Sequence, residues 1–179
     1  MKKLTLIALL LSATVAMAQT KQTITKATVT YQIKNMGFTT LGFLSGFAGE
    51  VKFDKAHLVA SSIEASVETK TINSDDDARD AHLRKEDFFD VDHYPKMIMK
   101  SVSFKQKGSN NYIGQFELTI KGKTKLVEVP FVYAQTGTTG SFKGSFKINR
   151  LDFGIGDSSL VLSNEVTISV GLETAIPAS

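Results

Sequence analysis

The chain contains no cysteine among its 179 residues. This absence excludes a disulfide framework, so stability must come from apolar side chains buried in a core. It also excludes a cysteine nucleophile. Histidine is scarce as well, and His57, His82 and His93 lack the H-x₃-H type of spacing that a zinc site uses. The sequence therefore predicts no bound metal and no cofactor.

The motifs of several enzyme classes are also missing. There is no G-x-S-x-G nucleophile elbow and no P-loop. The acidic run at 75–77 lacks the oxygen-ligand spacing and the glycine of a calcium loop, so it is interpreted as a solvated helix start. These absences predict a protein that is not an enzyme.

An excess of positive charge is lacking too. The net charge of +3 falls to +1 if the first eighteen residues are removed, because Lys2 and Lys3 are the only charges there. No basic stripe with interleaved aromatic residues follows. The sequence therefore predicts no nucleic-acid binding.

Long apolar runs are confined to the first eighteen residues. Lys2 and Lys3 precede an apolar run over 4–15, and Ala16-Met17-Ala18 resembles a cleavage site. The run is short of the roughly 20 residues that span a bilayer. Residues 1–18 are therefore predicted to be a cleaved secretory signal peptide, and 19–179 to be one domain without a transmembrane segment.

Through most of that domain, apolar and polar residues alternate with a period of two, which is typical of half-buried strands. The stretch 36–46, MGFTTLGFLSG, is predicted to be a bend or a short helical turn. Eight strands are predicted, with apolar rows at 27–33, 47–53, 63–69, 97–104, 112–120, 127–133, 142–148 and 166–172. Pro130 predicts imperfect pairing of the sixth strand.

One segment, 74–95, is predicted to form a short helix that is followed by aromatic residues. Ser74 is predicted to be the N-cap, with Asp77 three residues on as its capping-box partner. Arg84 and Lys85 suit the negative end of the helix dipole, and Pro95 ends the segment. We expect this segment to cover the strand that follows it.

Eight antiparallel strands in one open sheet would leave two unpaired edges. Closure removes the edges, so the predicted fold is an all-β, eight-stranded antiparallel up-and-down β-barrel with one short helix inserted between strands 3 and 4. A two-sheet sandwich is the alternative.

The interior of such a barrel can be filled with side chains or can hold one ligand. The small inward residues Gly49, Ala65, Gly114 and Gly144 favour a cavity, although glycine can also mark a bend. Burial of a long apolar ligand there would contribute about 0.8 kcal/mol for each CH₂. The predicted lining residues are Val29, Tyr31, Phe47, Val67, Phe116, Phe131, Phe146 and Ile168.

Several motifs carry a family resemblance. The segment RDAHLRKEDFFDVDHYPKM at 79–97, with LTIKGKTK at 118–125 and NRLDFGIG at 149–156, resembles the signature of the YceI-like family. The opening YQIKNMGF also fits, except that the family often has histidine where Asn35 stands. The resemblance implies a lipocalin-like antiparallel barrel, exported to the periplasm, whose apolar interior holds a polyisoprenoid or related long-chain lipid.

Four polar residues are candidates for a second role. Arg79, Asp80 and His82 lie in the predicted helix, where Arg79 and His82 are neighbours at i and i+3. Two interpretations of these three residues and Arg150 are open. They form a polar mouth that holds a ligand headgroup, or they form a latch of hydrogen bonds that pins the helix to the barrel. Arg150 needs a partner for its charge, and either Asp80 or Asp152 is predicted to supply it.

Three hypotheses follow from these observations. The first is a carrier that holds or sequesters an isoprenoid quinone or similar lipid. The second is a filled-core stress-response or interaction protein without a ligand. The third is a lipid hydrolase or isomerase that uses His82 with Asp80. The sequence leaves open the identity of the lipid, the way it is loaded, and whether the chain forms a homodimer.

Overall fold

The computed structural model describes residues 21–177, and the predicted signal peptide, residues 1–18, lies outside the described residues. The described residues form nine strands and one short α-helix, α1 (Asp77–Leu83), between the fourth and fifth strands, together with three short 3₁₀ helices at Leu58–Ala60, Thr69–Thr71 and Arg150–Phe153. The strands are β1 (Thr23–Asn35), β2 (Phe38–Leu44), β3 (Ala48–Lys52), β4 (Ser62–Glu68), β5 (Lys96–Gln106), β6 (Asn111–Ile120), β7 (Lys123–Thr136), β8 (Thr139–Asn149) and β9 (Leu162–Ala175).

All neighbouring strands are antiparallel and belong to one curled sheet in the order β2-β1-β9-β8-β7-β6-β5-β4-β3. The first and last long strands pair along their whole length, from Thr23↔Ala175 to Asn35↔Leu162. The predicted all-β antiparallel fold, with one short helix inserted after the strand at 62–68, is therefore confirmed. The core lies inside the curl of the sheet.

The predicted count of eight strands is wrong, because the stretch predicted as a bend contains β2. Met36 and Gly37 both have positive φ angles, of 52° and 83°, and form the tight turn between β1 and β2. The pattern of β2 is hard to recognise because Leu41 and Phe43 are exposed although they are apolar. Burial therefore does not follow hydrophobicity along this strand.

The two edge strands, β2 and β3, do not pair with each other, so the sheet is a half-barrel rather than a closed ladder. The segment 68–73 bridges the gap at β2. Asn73 exchanges backbone hydrogen bonds of 2.8 and 3.0 Å with Phe43, and the Glu68 N–H donates to the Ser45 carbonyl at 3.1 Å. Non-strand backbone thus satisfies part of an edge that would otherwise be open.

A second gap separates the first half of β7 from β8. The two strands pair only between Phe131↔Gly144 and Thr136↔Thr139, and the separation begins at Pro130, which has no N–H to donate. The residues after β8 fill this gap, where Phe153 and Ile155 are buried. Both gaps lie at the end of the barrel that carries α1. Arg84, just after α1, donates to the Lys70 carbonyl at 3.0 Å beside the first gap, and the Gly156 N–H donates to the Asp87 carbonyl at 2.8 Å beside the second.

The predicted N-cap of the helix is wrong. Asp76 is the N-cap: its backbone is extended and its Oδ1 accepts from the Arg79 N–H at 2.9 Å. Ser74 is instead buried and makes tertiary contacts. Both residues have side chains that can cap a helix. Because Ser74 is buried and used in tertiary contacts, Asp76 caps the helix.

Candidate ligand cavity

A cavity of about 330 Å³ occupies the half of the barrel nearest α1. Its volume lies in the range of small-molecule sites, which is about 300–1,000 Å³. The wall is almost entirely apolar and includes Phe88 and Phe89, which follow α1 and lie opposite the sheet. The main strand residues of the wall are Val29, Ile33, Leu44, Val67, Met97, Met99, Leu118, Ile120, Phe146, Ile148, Val166, Ile168 and Val170.

The predicted lining residues divide into two groups. Six of them line the cavity: Val29, Tyr31, Phe47, Val67, Phe146 and Ile168. Phe116 and Phe131 do not, because they are buried in the packed half of the barrel. Alternation identifies the inward face of a strand, but it does not tell how far along the barrel axis a residue lies.

The other half of the barrel is filled by an aromatic cluster around Phe53. The Phe53 ring makes edge-on contacts with Phe104, Tyr112 and Phe142, with centroid distances of 5.5, 5.4 and 5.3 Å. Tyr133 also packs against Phe53, at 4.8 Å. The hypothesis of an interior packed with side chains is thus correct for one half of the barrel. The aromatic cluster also closes the cavity at its inner end.

Two of the small residues that favoured a cavity serve the packed half instead. A Cβ atom at Gly114 would lie 2.3 Å from the Phe116 ring, and one at Gly144 would lie 3.1 Å from Phe131 Cβ. These glycines make room for aromatic side chains rather than for a ligand. Ala65, by contrast, does line the cavity.

Asp80 is the centre of a buried polar cluster at the cavity wall. Its Oδ1 accepts hydrogen bonds from the Ser74 N–H at 2.8 Å and from the Ser74 hydroxyl at 2.5 Å. The Arg79 guanidinium donates to the Ser74 hydroxyl at 2.7 Å and to its carbonyl at 2.8 Å. Because Asn73 is bonded to β2, this cluster ties α1 to the segment that covers the β2 edge. These contacts favour the latch interpretation of Arg79 and Asp80.

Tyr31 lies between this cluster and the cavity. Its ring packs over Gly42, where a Cβ atom would lie within 2.5 Å of it. Burial, followed by the nearby Asp80 carboxylate, raises the pKa of Tyr31 to about 12, against the opposing effects of Arg79 and the Ser74 hydroxyl. The buried hydroxyl makes no well-oriented hydrogen bond to any described residue. It is therefore a neutral phenol in an apolar wall.

His82 lies at the rim of the cavity. Its Nε2 is 3.3 Å from Asp87 Oδ2, and its ring packs edge-on against Phe88 at 4.9 Å. The hydrogen bonds of Asp80 go to Ser74. The His82–Asp80 pair that the enzyme hypothesis requires is therefore not assembled.

Arg150 is buried in the wall of the cavity. Its guanidinium donates to the carbonyls of Ile155 and Asp157, both at 2.7 Å, and of Ser163 at 3.0 Å. Burial lowers its pKa, and Asp157 opposes that effect. The predicted partners, Asp80 and Asp152, are wrong. Carbonyl groups of the loop after β8 and of the start of β9 accept its hydrogen bonds instead, so Arg150 fixes the loop against β9.

Across residues 21–177, no group of three or more acidic, histidine or cysteine side chains is arranged to hold a metal ion. No helix within the same residues is long and apolar enough to cross a bilayer.

Two comparisons with known sequences are informative. A sequence profile of the YceI-like domain matches residues 20–174. A UPF0312 protein of Vibrio cholerae serotype O1 is 30% identical over 145 residues, which cover 75% of this chain and 77% of the relative. A UPF0312 protein of Azotobacter vinelandii is 30% identical over 154 residues, with coverage of 82% and 80%.

Solved structures agree with the observed fold. BcnA of Burkholderia cenocepacia superposes with a TM-score of 0.79 at 30% identity, over 82% of this chain and 95% of BcnA. A polyisoprenoid binding domain from Saccharophagus degradans superposes with a TM-score of 0.69 over 89% and 99% of the two chains. At 12% identity, the second comparison concerns the fold alone. The profile match spans nearly all the described residues, and the chain therefore belongs to the YceI-like family.

Proposed function

We propose that this protein binds the chain of a polyisoprenoid lipid in the barrel cavity and carries or sequesters it without catalysing a reaction. The observation that carries the proposal is the apolar cavity of about 330 Å³ beneath Phe88 and Phe89. An apolar chain that leaves water for such a site gains about 0.8 kcal/mol for each buried CH₂. A branched, unsaturated chain suits walls of mixed aliphatic and aromatic side chains.

The distribution of polar groups supports one orientation of the lipid. Arg79, His82 and Arg150 line the outer end of the cavity, whereas the Phe53 cluster closes the inner end. The tail would therefore point toward Phe53 and the head toward α1. The ligand class is supported by the shared fold, because the structurally similar domain of Saccharophagus degradans is a polyisoprenoid binding domain.

We also propose that the protein acts in the periplasm. The support is the sequence of residues 1–18, with its two lysines, short apolar run and Ala-Met-Ala end. Cell fractionation, with mass spectrometry of the mature N-terminus, tests this point. Recovery of the protein with Lys2 and Lys3 still attached would contradict it.

Lipid extraction tests the binding proposal. The protein is purified without detergent and extracted with organic solvent, and the extract is analysed by mass spectrometry. We expect a polyisoprenoid in stoichiometric amount. The lipid-free protein should also bind an added isoprenoid quinone. An extract without stoichiometric lipid, together with failure to bind the quinone, would contradict the proposal.

A further inference from the structure

Two adjacent turns at the cavity end of the barrel expose large apolar side chains. Met36 and Phe38 stand on the β1–β2 turn with exposed fractions of 70% and 77%, and Leu160, on the loop before β9, is fully exposed. Val161, beside it, is 54% exposed. We call these four residues the apolar lip. A monomeric globular protein normally has its exposed apolar residues scattered singly rather than gathered on one rim.

The two turns form one unit. The Met36 N–H donates to the Val161 carbonyl at 2.8 Å, and the next pair inward is the strand pair Asn35↔Leu162. Neither turn can therefore move away from the other without breaking the end of the β1–β9 ladder. The lip is a fixed feature of the rim.

The lip continues the wall of the cavity. Asn35 and Leu162, which lie directly below it, both line the cavity. Phe38 is on the same face of β2 as Thr40, another lining residue, because side chains two apart in a strand share a face. The exposed tips are thus continuous with the cavity wall through Leu162 and the small polar residues Asn35 and Thr40.

We infer that the apolar lip inserts into the surface of a lipid bilayer and that the cavity takes up its lipid there. This inference rests on the proposed function, because an isoprenoid that fits the cavity resides in membranes and is nearly insoluble in water. Lip residues in the bilayer would join the acyl region to the cavity wall, so the lipid could cross without full exposure to water.

The charges around the lip agree with this partner. Segments 33–40 and 158–163 contain one cation, Lys34, and no carboxylate, and Asp157 is the first acidic residue beyond them. Apolar side chains flanked by lysine are typical of segments that lie in the headgroup region. The lip consists of two projecting turns. This shape suits insertion into a bilayer better than a flat contact between two copies of the chain.

Flotation with vesicles tests the inference. The double variant Phe38→Ser/Leu160→Ser removes two lip residues, neither of which lines the cavity. The matched control, Val59→Ser/Val132→Ser, removes two exposed apolar residues at the opposite end of the barrel. Each protein is mixed with phosphatidylcholine vesicles, with or without phosphatidylglycerol, and centrifuged. We expect the lip variant to lose roughly tenfold or more in vesicle binding and the control to bind as the wild type does.

Loading and equilibrium binding are measured in parallel with geranylgeraniol as the probe. The lip variant should load more slowly from vesicles that contain geranylgeraniol, yet bind dispersed geranylgeraniol with unchanged affinity. Equal vesicle binding by all three proteins, or none by the wild type, would overturn the inference. So would a wild-type dimer, seen by sedimentation, that only the lip variant loses. Failure of all three proteins to bind dispersed geranylgeraniol would instead contradict the proposed function, and flotation would still decide the role of the lip.

Discussion

The two ends of the barrel are built from the same strands but differ in how their interiors are filled. At the Phe53 end, hairpins pair fully and aromatic rings pack at centroid distances near 5 Å. At the α1 end, two gaps in the sheet are bridged by non-strand segments, and a cavity remains inside. A cavity in this fold therefore depends on where the ladder is interrupted as much as on the residues that face inward.

The largest expected effect is at the packed end. Phe53→Ala should lower the free energy of unfolding by about 3–5 kcal/mol, because it removes the ring that all the neighbouring aromatic residues contact. Urea denaturation measures the change, with the exposed Val132→Ala as a control expected near zero. A loss below about 1 kcal/mol would show that the packed end is not tightly filled.

The second effect concerns the latch. Asp80→Ala should lower the free energy of unfolding by about 2–4 kcal/mol, because the buried Ser74 N–H and hydroxyl lose their acceptor. Asp77→Ala on the exposed side of α1 is the control and should change stability little. If Asp80→Ala left stability intact but abolished lipid binding, Asp80 would belong to a headgroup site instead of a latch.

A smaller effect is expected inside the cavity. Ile168→Ala should lower the free energy of unfolding by only about 1 kcal/mol, since its side chain lines the cavity and is only partly buried against the core. The same truncation in a packed core costs about 2–5 kcal/mol. Denaturation of the lipid-free protein measures the free energy of unfolding of both variants. If Ile168→Ala lost as much as Phe53→Ala, the claim that the two ends of the barrel are packed differently would be contradicted.

The smallest effect is expected for Tyr31→Phe, which should change stability by less than about 1 kcal/mol at neutral pH because the hydroxyl has no well-oriented partner. The pKa of Tyr31 is raised from 10.0 to about 12, so the folded protein keeps a proton that the unfolded chain loses above pH 10. The stability that this group contributes is full below pH 10 and is lost toward pH 12.

The variant should therefore lose less stability than the wild type over that pH interval. Denaturation at stepped pH values measures the difference between the two proteins. Identical pH profiles would contradict the assigned environment of Tyr31. A large fall in lipid affinity in Tyr31→Phe would show that the hydroxyl contacts the ligand.

Much of the fold could be predicted from the sequence because alternation with a period of two reports directly on strand faces. It failed at β2, where Leu41 and Phe43 are apolar yet exposed. It also could not place Phe116 and Phe131 along the barrel axis, so these residues were assigned to the cavity although they are packed in the other half. Depth along a barrel is a property of register, which the sequence of one strand does not contain.

The polar residues show a similar limit. Arg79 and Asp80 could be singled out from the sequence, but the role of Ser74 could not, because Ser74 and Asp76 are both good caps. The partners of Arg150 left no sequence signal, since they are backbone carbonyls of a loop. The apolar lip left no sequence signal, because only the hydrogen bond between the two turns brings Met36 and Phe38 beside Leu160 and Val161.

The most direct test is native mass spectrometry of the lipid-free protein with geranylgeraniol, compared with Ala65→Phe, which places a phenyl ring in the cavity, and Val132→Phe, which places one on an exposed position outside it. We predict one bound geranylgeraniol for the wild type and for Val132→Phe, and none for Ala65→Phe. Equal binding by all three proteins would contradict the claim that the cavity is the lipid site.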